Sequence, residues 1–440
     1  MICLMKAGNI TKMTRISPIK KFYYSRAKLV HCGYPWKYEM TRQSSAMFLA
    51  VFLIFSFPKP LRIIPTQLEP PKISYAFGDY LKISGKIEAP INVQQSMVYI
   101  QIHDMSEPFS DHLTITPSGA YIYYYSIKSK PLRAFATITY WIEITNQLGE
   151  KKTSPPAILF YEDNRYKWRT LSSSLFSVNW YRGDEMFGKI TLDVAEAGLK
   201  QARSLIALPQ PDNISIYVYA NAQELHQTMQ LAGQSWVGAH ADPDLNIILL
   251  SIPGGPEQRL EMERQIPHEL IHILLYDKLG DAYSNLPMWL NEGLATMAEM
   301  DPNPDYLLLL ENARKNNSFL TIGSLCNSFP SDPPSAYLAY AESGDFIRYL
   351  HHSYGSAQLT ALVEAYRDNV DCAAGVEAVY NQTLDQLEAD WRRESFGEVI
   401  TANALNNILP WLLILITVLG VPTGLTLLII RKKPRQTTKP

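Results

Sequence analysis

The chain has 440 residues, 47% hydrophobic and 19% charged, with four cysteines and a formal charge of −2. That length supports two or three domains with ample apolar core, and so few cysteines exclude a small disulfide-stapled scaffold. Residues 1–45 hold nine Lys/Arg and one Glu, and residues 431–440 hold five and none, so 46–430 carry 26 basic against 41 acidic groups, a charge of −15; such a body lacks the positive surface that neutralises phosphates, which excludes nucleic acid as a partner.

Residues 1–58 read as a basic leader and a signal or anchor segment. Ala46 to Phe57 is an apolar run closed by Pro58, too short to span a bilayer but suited to the core of an export signal. Cleaved signal and retained anchor both stay open, as do translation starts at Met1 and Met40. After a Pro-rich linker over 59–71, period-two alternation covers 73–165. It runs through Leu81, Ile83 and Ile87, then Val98, Ile100 and Ile102, then Tyr121, Tyr123 and Tyr125, then Ala136, Ile138, Tyr140, Ile142 and Ile144. Short β-rich runs separated by turn residues predict a β-sandwich of immunoglobulin or fibronectin type, its partner unknown and its aromatic stripes core.

From 170 to 398 the pattern becomes α+β. Helical spacing covers Phe187 to Leu208, Ile214 to Tyr219 reads as a strand, Asn221 to Leu231 as a short helix, and Leu245 to Ile252 as a second strand. From Pro253-Gly254-Gly255-Pro256 to Phe396 the chain reads as mostly helical. Ile408 to Ile430 is a 23-residue stretch without a charge, followed by Arg431-Lys432-Lys433. As a helix it would be about 34 Å long, enough to cross a bilayer core of about 30 Å. The expectation is a transmembrane helix over 408–430 with a cytoplasmic basic tail at 431–440, in a single-pass cell-membrane protein whose body faces outward. Cys326 and Cys372 are the two cysteines of that exported body; a disulfide and two buried thiols both stay open.

Residues 268–272 are His-Glu-Leu-Ile-His. Two His at i and i+4 of a helix project from one face and can grip one Zn²⁺, with Glu269 between them free to take a proton from water at the metal. Zinc needs a third protein ligand. Glu292, in Pro287-Met288-Trp289-Leu290-Asn291-Glu292-Gly293, stands twenty residues after His272, close enough for a second helix to fold back and face the imidazoles. Two His and one Glu leave the fourth position open, which marks a catalytic site.

His268-Glu269-x-x-His272 followed by Trp289-Leu290-Asn291-Glu292-Gly293-Leu294-Ala295 resembles the gluzincin metallopeptidases, the thermolysin-like and peptidase MA-like group. The wider plan resembles its membrane-anchored bacterial members. The resemblance is strong over 268–300 and weaker from about 180 to 395. It implies a thermolysin-like domain over 170–398, one Zn²⁺ per chain on His268, His272 and Glu292, and Glu269 as general base cutting a peptide or protein substrate. Glu299, on the face of Glu292, would orient a ligand His; Thr296 could do the same. Tyr340 is the choice for oxyanion donor, with His351 and His352 as weaker candidates.

Two departures stand out. Pro267 immediately precedes His268, so the active helix either begins there or kinks. Aminopeptidases of this clan hold the substrate amine with a strand Glu; the nearest counterpart, Gly238-Ala239-His240-Ala241-Asp242, has none, which puts aminopeptidase activity in doubt. Two rival readings stay open. One is a non-catalytic membrane-attached scaffold on a peptidase fold; the other is a zinc hydrolase of a non-peptide amide or ester.

Overall fold

The computed structural model describes residues 68–87, 93–102, 106–231, 239–397 and 408–422. The leader, the apolar run 46–57 and the basic tail lie outside the described residues.

The alternating runs form two facing sheets. One joins β1 (Lys72–Ala76), β2 (Tyr80–Lys86) and β5 (Ala120–Ser126). The other runs β4 (Phe109–His112), β3 (Val93–Ile102), β6 (Thr137–Asn146), β7 (Lys151–Thr153), with β8 (Ala157–Phe160) also on β6. Antiparallel register sets Leu81 opposite Tyr125, Val98 opposite Ile142 and Ile100 opposite Tyr140. These buried partners meet between the sheets in one core, while polar residues alternate outward.

A third sheet follows, in the order β12 (His240–Asp242), β13 (Ile247–Ser251), β11 (Ile214–Tyr219), β10 (Phe176–Trp180), β9 (Arg169–Ser172). Its central strands are parallel. β11 and β13 read as near-continuous apolar runs, the signature of strands covered on both faces. Ile216, Val218, Ile248 and Leu250 pack under α1 (Glu185–Leu205) and α3 (Gln258–Leu279). On the opposite face Tyr217, Tyr219, Ile247 and Leu249 share the core of the sandwich, together with Leu225 and Met229 of α2 (Ala222–Leu231). Phe135 lies with its ring centroid 4.0 Å from that of Tyr217. Arg133 pairs with Asp242 at 2.9 Å and with Asp244, and buried Asp163 accepts from Tyr219 and Thr228. The sandwich is thus the second cover of this sheet.

The remaining helices are α4 (Met288–Ala298), α5 (Pro304–Asn316), α6 (Pro333–Ala365), α7 (Cys372–Tyr380) and α8 (Leu384–Phe396). α4 and α6 approach closely through glycine. A Cβ on Gly293 would stand 2.6 Å from the Ser343 carbonyl oxygen, and one on Gly344 would stand 2.6 Å from Thr296 Cγ2.

The structure adds two strands and corrects two expectations. β9 and β10 are strands where the sequence showed no clear alternation. Pro267 neither starts α3 nor divides it; it lies inside the helix, its ring against Gly198 of α1, where a Cβ would meet Pro267 Cγ at 3.0 Å. Finally, the membrane-spanning helix expected over 408–430 is not supported. No helix among the described residues is long and apolar enough to cross a membrane. Of the expected span, 408–422 is helical, and 423–430 lie outside the described residues.

Candidate metal centre

α3 carries His268 and His272 one turn apart, their ring centroids separated by 5.4 Å. α4 folds back against α3 and brings Glu292 to both: Glu292 Oε2 lies 3.5 Å from His268 Nε2 and 3.7 Å from His272 Nε2. One ligand atom from each of the three residues falls within 4.8 Å of the others.

The backs of the two rings are occupied. His268 Nδ1 lies 3.1 Å from Glu299 Oε1. His272 Nδ1 lies 3.1 Å from Asn291 Oδ1 and 3.3 Å from the Tyr283 hydroxyl, which itself accepts from Asn291 Nδ2 at 3.0 Å. A carboxylate and an amide carbonyl can only accept, so each Nδ1 carries a hydrogen and Nε2 is the nitrogen left to bind a cation, a proton in the metal-free His268 or a metal ion in its place. Both Nε2 atoms and a carboxylate oxygen face one small volume, and two His with one carboxylate is a donor set suited to catalytic zinc.

Electrostatics agree. Burial alone would lower the pKa of His268, but hydrogen bonds to Glu292 and Glu299 and the charge of Glu269 outweigh it and hold the imidazole at about 10 in the metal-free protein. Burial would raise Glu292, yet the two imidazoles keep its carboxyl below the ordinary range. The pocket demands positive charge.

Glu269 is buried at 7% exposure on the same helix; its charge is felt by His268, His240, Tyr283 and Tyr340. Tyr340 of α6 tilts its ring over the site, centroids 6.2 Å from His268, and rests edge-on against Phe329. Burial and the charges of Glu292 and Glu269 push its phenol well above the ordinary range, keeping it a donor. Thr296 does not orient a ligand: its methyl packs toward Gly344 and its hydroxyl meets no hydrogen-bond partner among the described residues. His351 pairs with Ser356, whose hydroxyl reaches Ser204 at the end of α1, and His352 is exposed. Neither belongs to the centre.

Cys326 and Cys372 are joined in a disulfide that borders α4. The Cys326 carbonyl accepts from Met288 N–H at 2.8 Å, and Trp289 Nε1 donates to Cys372 Sγ at 3.3 Å. His240 lies on edge strand β12 with Nε2 3.0 Å from Asp242 Oδ1. Sequence reasoning missed Asn291 and Tyr283 as orienting partners. Asn291 was visible as the residue before Glu292; Tyr283 sits in a 3-10 turn, Gly280–Asn285, with no periodic signal.

Among solved structures the chain is similar to the M1 zinc metallopeptidase from Deinococcus radiodurans, with 12% identity, coverage of 74% of this chain and 90% of that one, and a TM-score of 0.33. It is also similar to a two-domain M1 zinc metallopeptidase variant bound to L-arginine, with 10% identity, coverage of 74% and 90%, and a TM-score of 0.34. No curated protein matches. Residues 194–396 match the family described as Peptidase MA superfamily, a stretch that runs from within α1 to the end of α8 and includes the whole metal centre. Over this region the chain is therefore similar in sequence to the Peptidase MA superfamily.

Proposed function

We propose that the chain is a zinc-dependent peptidase that hydrolyses peptide bonds in a peptide or protein substrate. The observation that carries this reading is the convergence of His268 Nε2, His272 Nε2 and Glu292 Oε2 with both Nδ1 atoms already engaged. These three residues would hold the ion, which when bound supplies a Lewis acid that polarises a carbonyl and brings the pKa of water to about 7. Glu269 accepts the proton of the attacking water and returns it to the leaving amine nitrogen. Tyr340, kept protonated by its buried, acid-rich surroundings, donates to the carbonyl oxygen as negative charge develops there. Edge strand β12 offers backbone groups to an extended peptide.

The disulfide supports an oxidising, extracytoplasmic setting, since such bonds persist mainly outside reducing compartments. The test is elemental analysis of the purified protein together with hydrolysis of a peptide library with and without chelator. About one zinc per chain and chelator-sensitive cleavage are expected. Glu269→Gln should retain zinc and lose about 10²–10⁴-fold in turnover; wild-type turnover in that variant would end the assignment of the base.

A further inference from the structure

We propose that Pro267 is a positioning residue for the metal centre: by withholding an N–H from α3 it yields the Glu263 carbonyl to Met300, and so fixes the Glu299 carboxylate behind His268. In an unbroken helix the N–H of residue 267 would bond the carbonyl of residue 263; proline has none, and at such an interior position it normally breaks the helix. Here the acceptor left over is used. Met300 N–H donates to Glu263 O at 2.9 Å, from a segment that follows α4 rather than from α3 itself.

The consequence falls on the neighbouring residue. α4 ends at Ala298, and Glu299 leaves helical geometry at φ −53 and ψ 126. Its carboxylate must then be placed by something other than helix periodicity. The bond to Glu263 holds the following residue, and Arg264 grips the next one, its Nε 3.2 Å from the Asp301 carbonyl and its Nη2 2.9 Å from the Asp301 carboxylate. Two adjacent residues of α3 thus dock two adjacent residues beyond α4. Glu299, 5% exposed, is left with Oε1 3.1 Å from Nδ1 of His268, the residue next to Pro267. Proline, carbonyl, amide, carboxylate and imidazole form one chain of contacts.

The inference takes from the proposed function only that His268 binds zinc. In the metal-free full chain we would measure hydrogen exchange at the Met300 amide and the ¹⁵N shift of His268 Nδ1. Zinc affinity would be read by chelator competition, for wild type, Pro267→Ala, Glu299→Gln and the double variant. Pro267→Ala restores the helical N–H, so Met300 exchange should rise at least about tenfold, the His268 shift should move, and zinc should bind about tenfold more weakly, as for loss of an outer partner. Glu299→Gln should weaken zinc similarly without altering Met300 exchange, and the double variant should be no weaker than Glu299→Gln alone.

A folded Pro267→Ala with unchanged Met300 exchange, or zinc losses that multiply in the double variant, would overturn the proposal. Should Pro267→Ala not fold, Met300→Pro removes the same bond from the donor side, and Glu299 already has the backbone that precedes a proline; a moved His268 shift with zinc bound about tenfold more weakly is then expected, and an unchanged shift and zinc affinity would overturn the proposal. A wild type that takes up no zinc defeats the proposed function, while the exchange and shift measurements still judge Pro267.

Discussion

The two imidazoles of the centre share a helix and face the same carboxylate oxygen, yet they are backed differently. His268 rests on a buried carboxylate, Glu299, supplied from beyond the end of α4. His272 rests on a neutral amide within α4, Asn291, itself tied to Tyr283. Charge crowding is consistent with the difference. Glu269, Glu292 and Glu299 already bring three carboxylates to the centre; a further one behind His272 would add to that crowding, and burying an unpaired charge is costly. It also divides the mechanical roles. Asn291 and Glu292 move as one turn of helix, whereas Glu299 depends on how the chain beyond the helix is docked.

The largest effect that separates the two halves should come from the disulfide. It closes a loop with a sequence separation of 46 and borders the start of α4, so replacing both Cys326 and Cys372 by Ser should cost about 2–4 kcal/mol in denaturant unfolding. The looser α4 should disturb the His272 ring in NMR spectra more than the His268 ring; equal disturbance of both would dissolve the distinction. Next come the backing groups. Glu299→Gln and Asn291→Ala should each weaken zinc binding about 10–100-fold by chelator titration. Glu299→Gln should be the worse, because its hydrogen bond is charge-assisted. The reverse order would show that helix geometry outweighs charge.

The last test is in pH. In the metal-free protein the His268 pKa is raised from 6.5 to about 10. Its contribution to stability is therefore complete below about pH 6.5 and lost as the pH rises toward about 10. Thermal melts across that window should show the decline, and Glu299→Gln should flatten it. A melt independent of pH in the wild type would mean that the carboxylates do not hold a charge on His268.

Much of this was legible in the chain itself. The i, i+4 spacing of His268 and His272 survives in any helix, and α1 and β11 announced themselves by period. Glu292 was reachable because its connection to α3 is short. What stayed hidden depends on neighbours distant in sequence. Pro267 looked like a helix boundary because local rules ignore Met300, which takes the orphaned carbonyl. Thr296, one turn from Glu292, has the right spacing to orient a ligand, but α6 packs on that side and Gly344 receives its methyl. β10 was obscured because Ser177 and Asn179 bond sideways to Ser172 and Thr170 of β9. The uncharged stretch after 407 was read as a span from composition alone, and among the described residues it forms no helix long and apolar enough to cross a membrane.

The shared core described above makes the N-terminal module inseparable in practice. Trimming the chain to 170–398 would strip Tyr217, Tyr219, Ile247 and Leu249 of their lid and leave a greasy flank on the half that carries the three converging side chains. Such a fragment should clump on expression. The module that looks like an accessory is one wall of that half's own house.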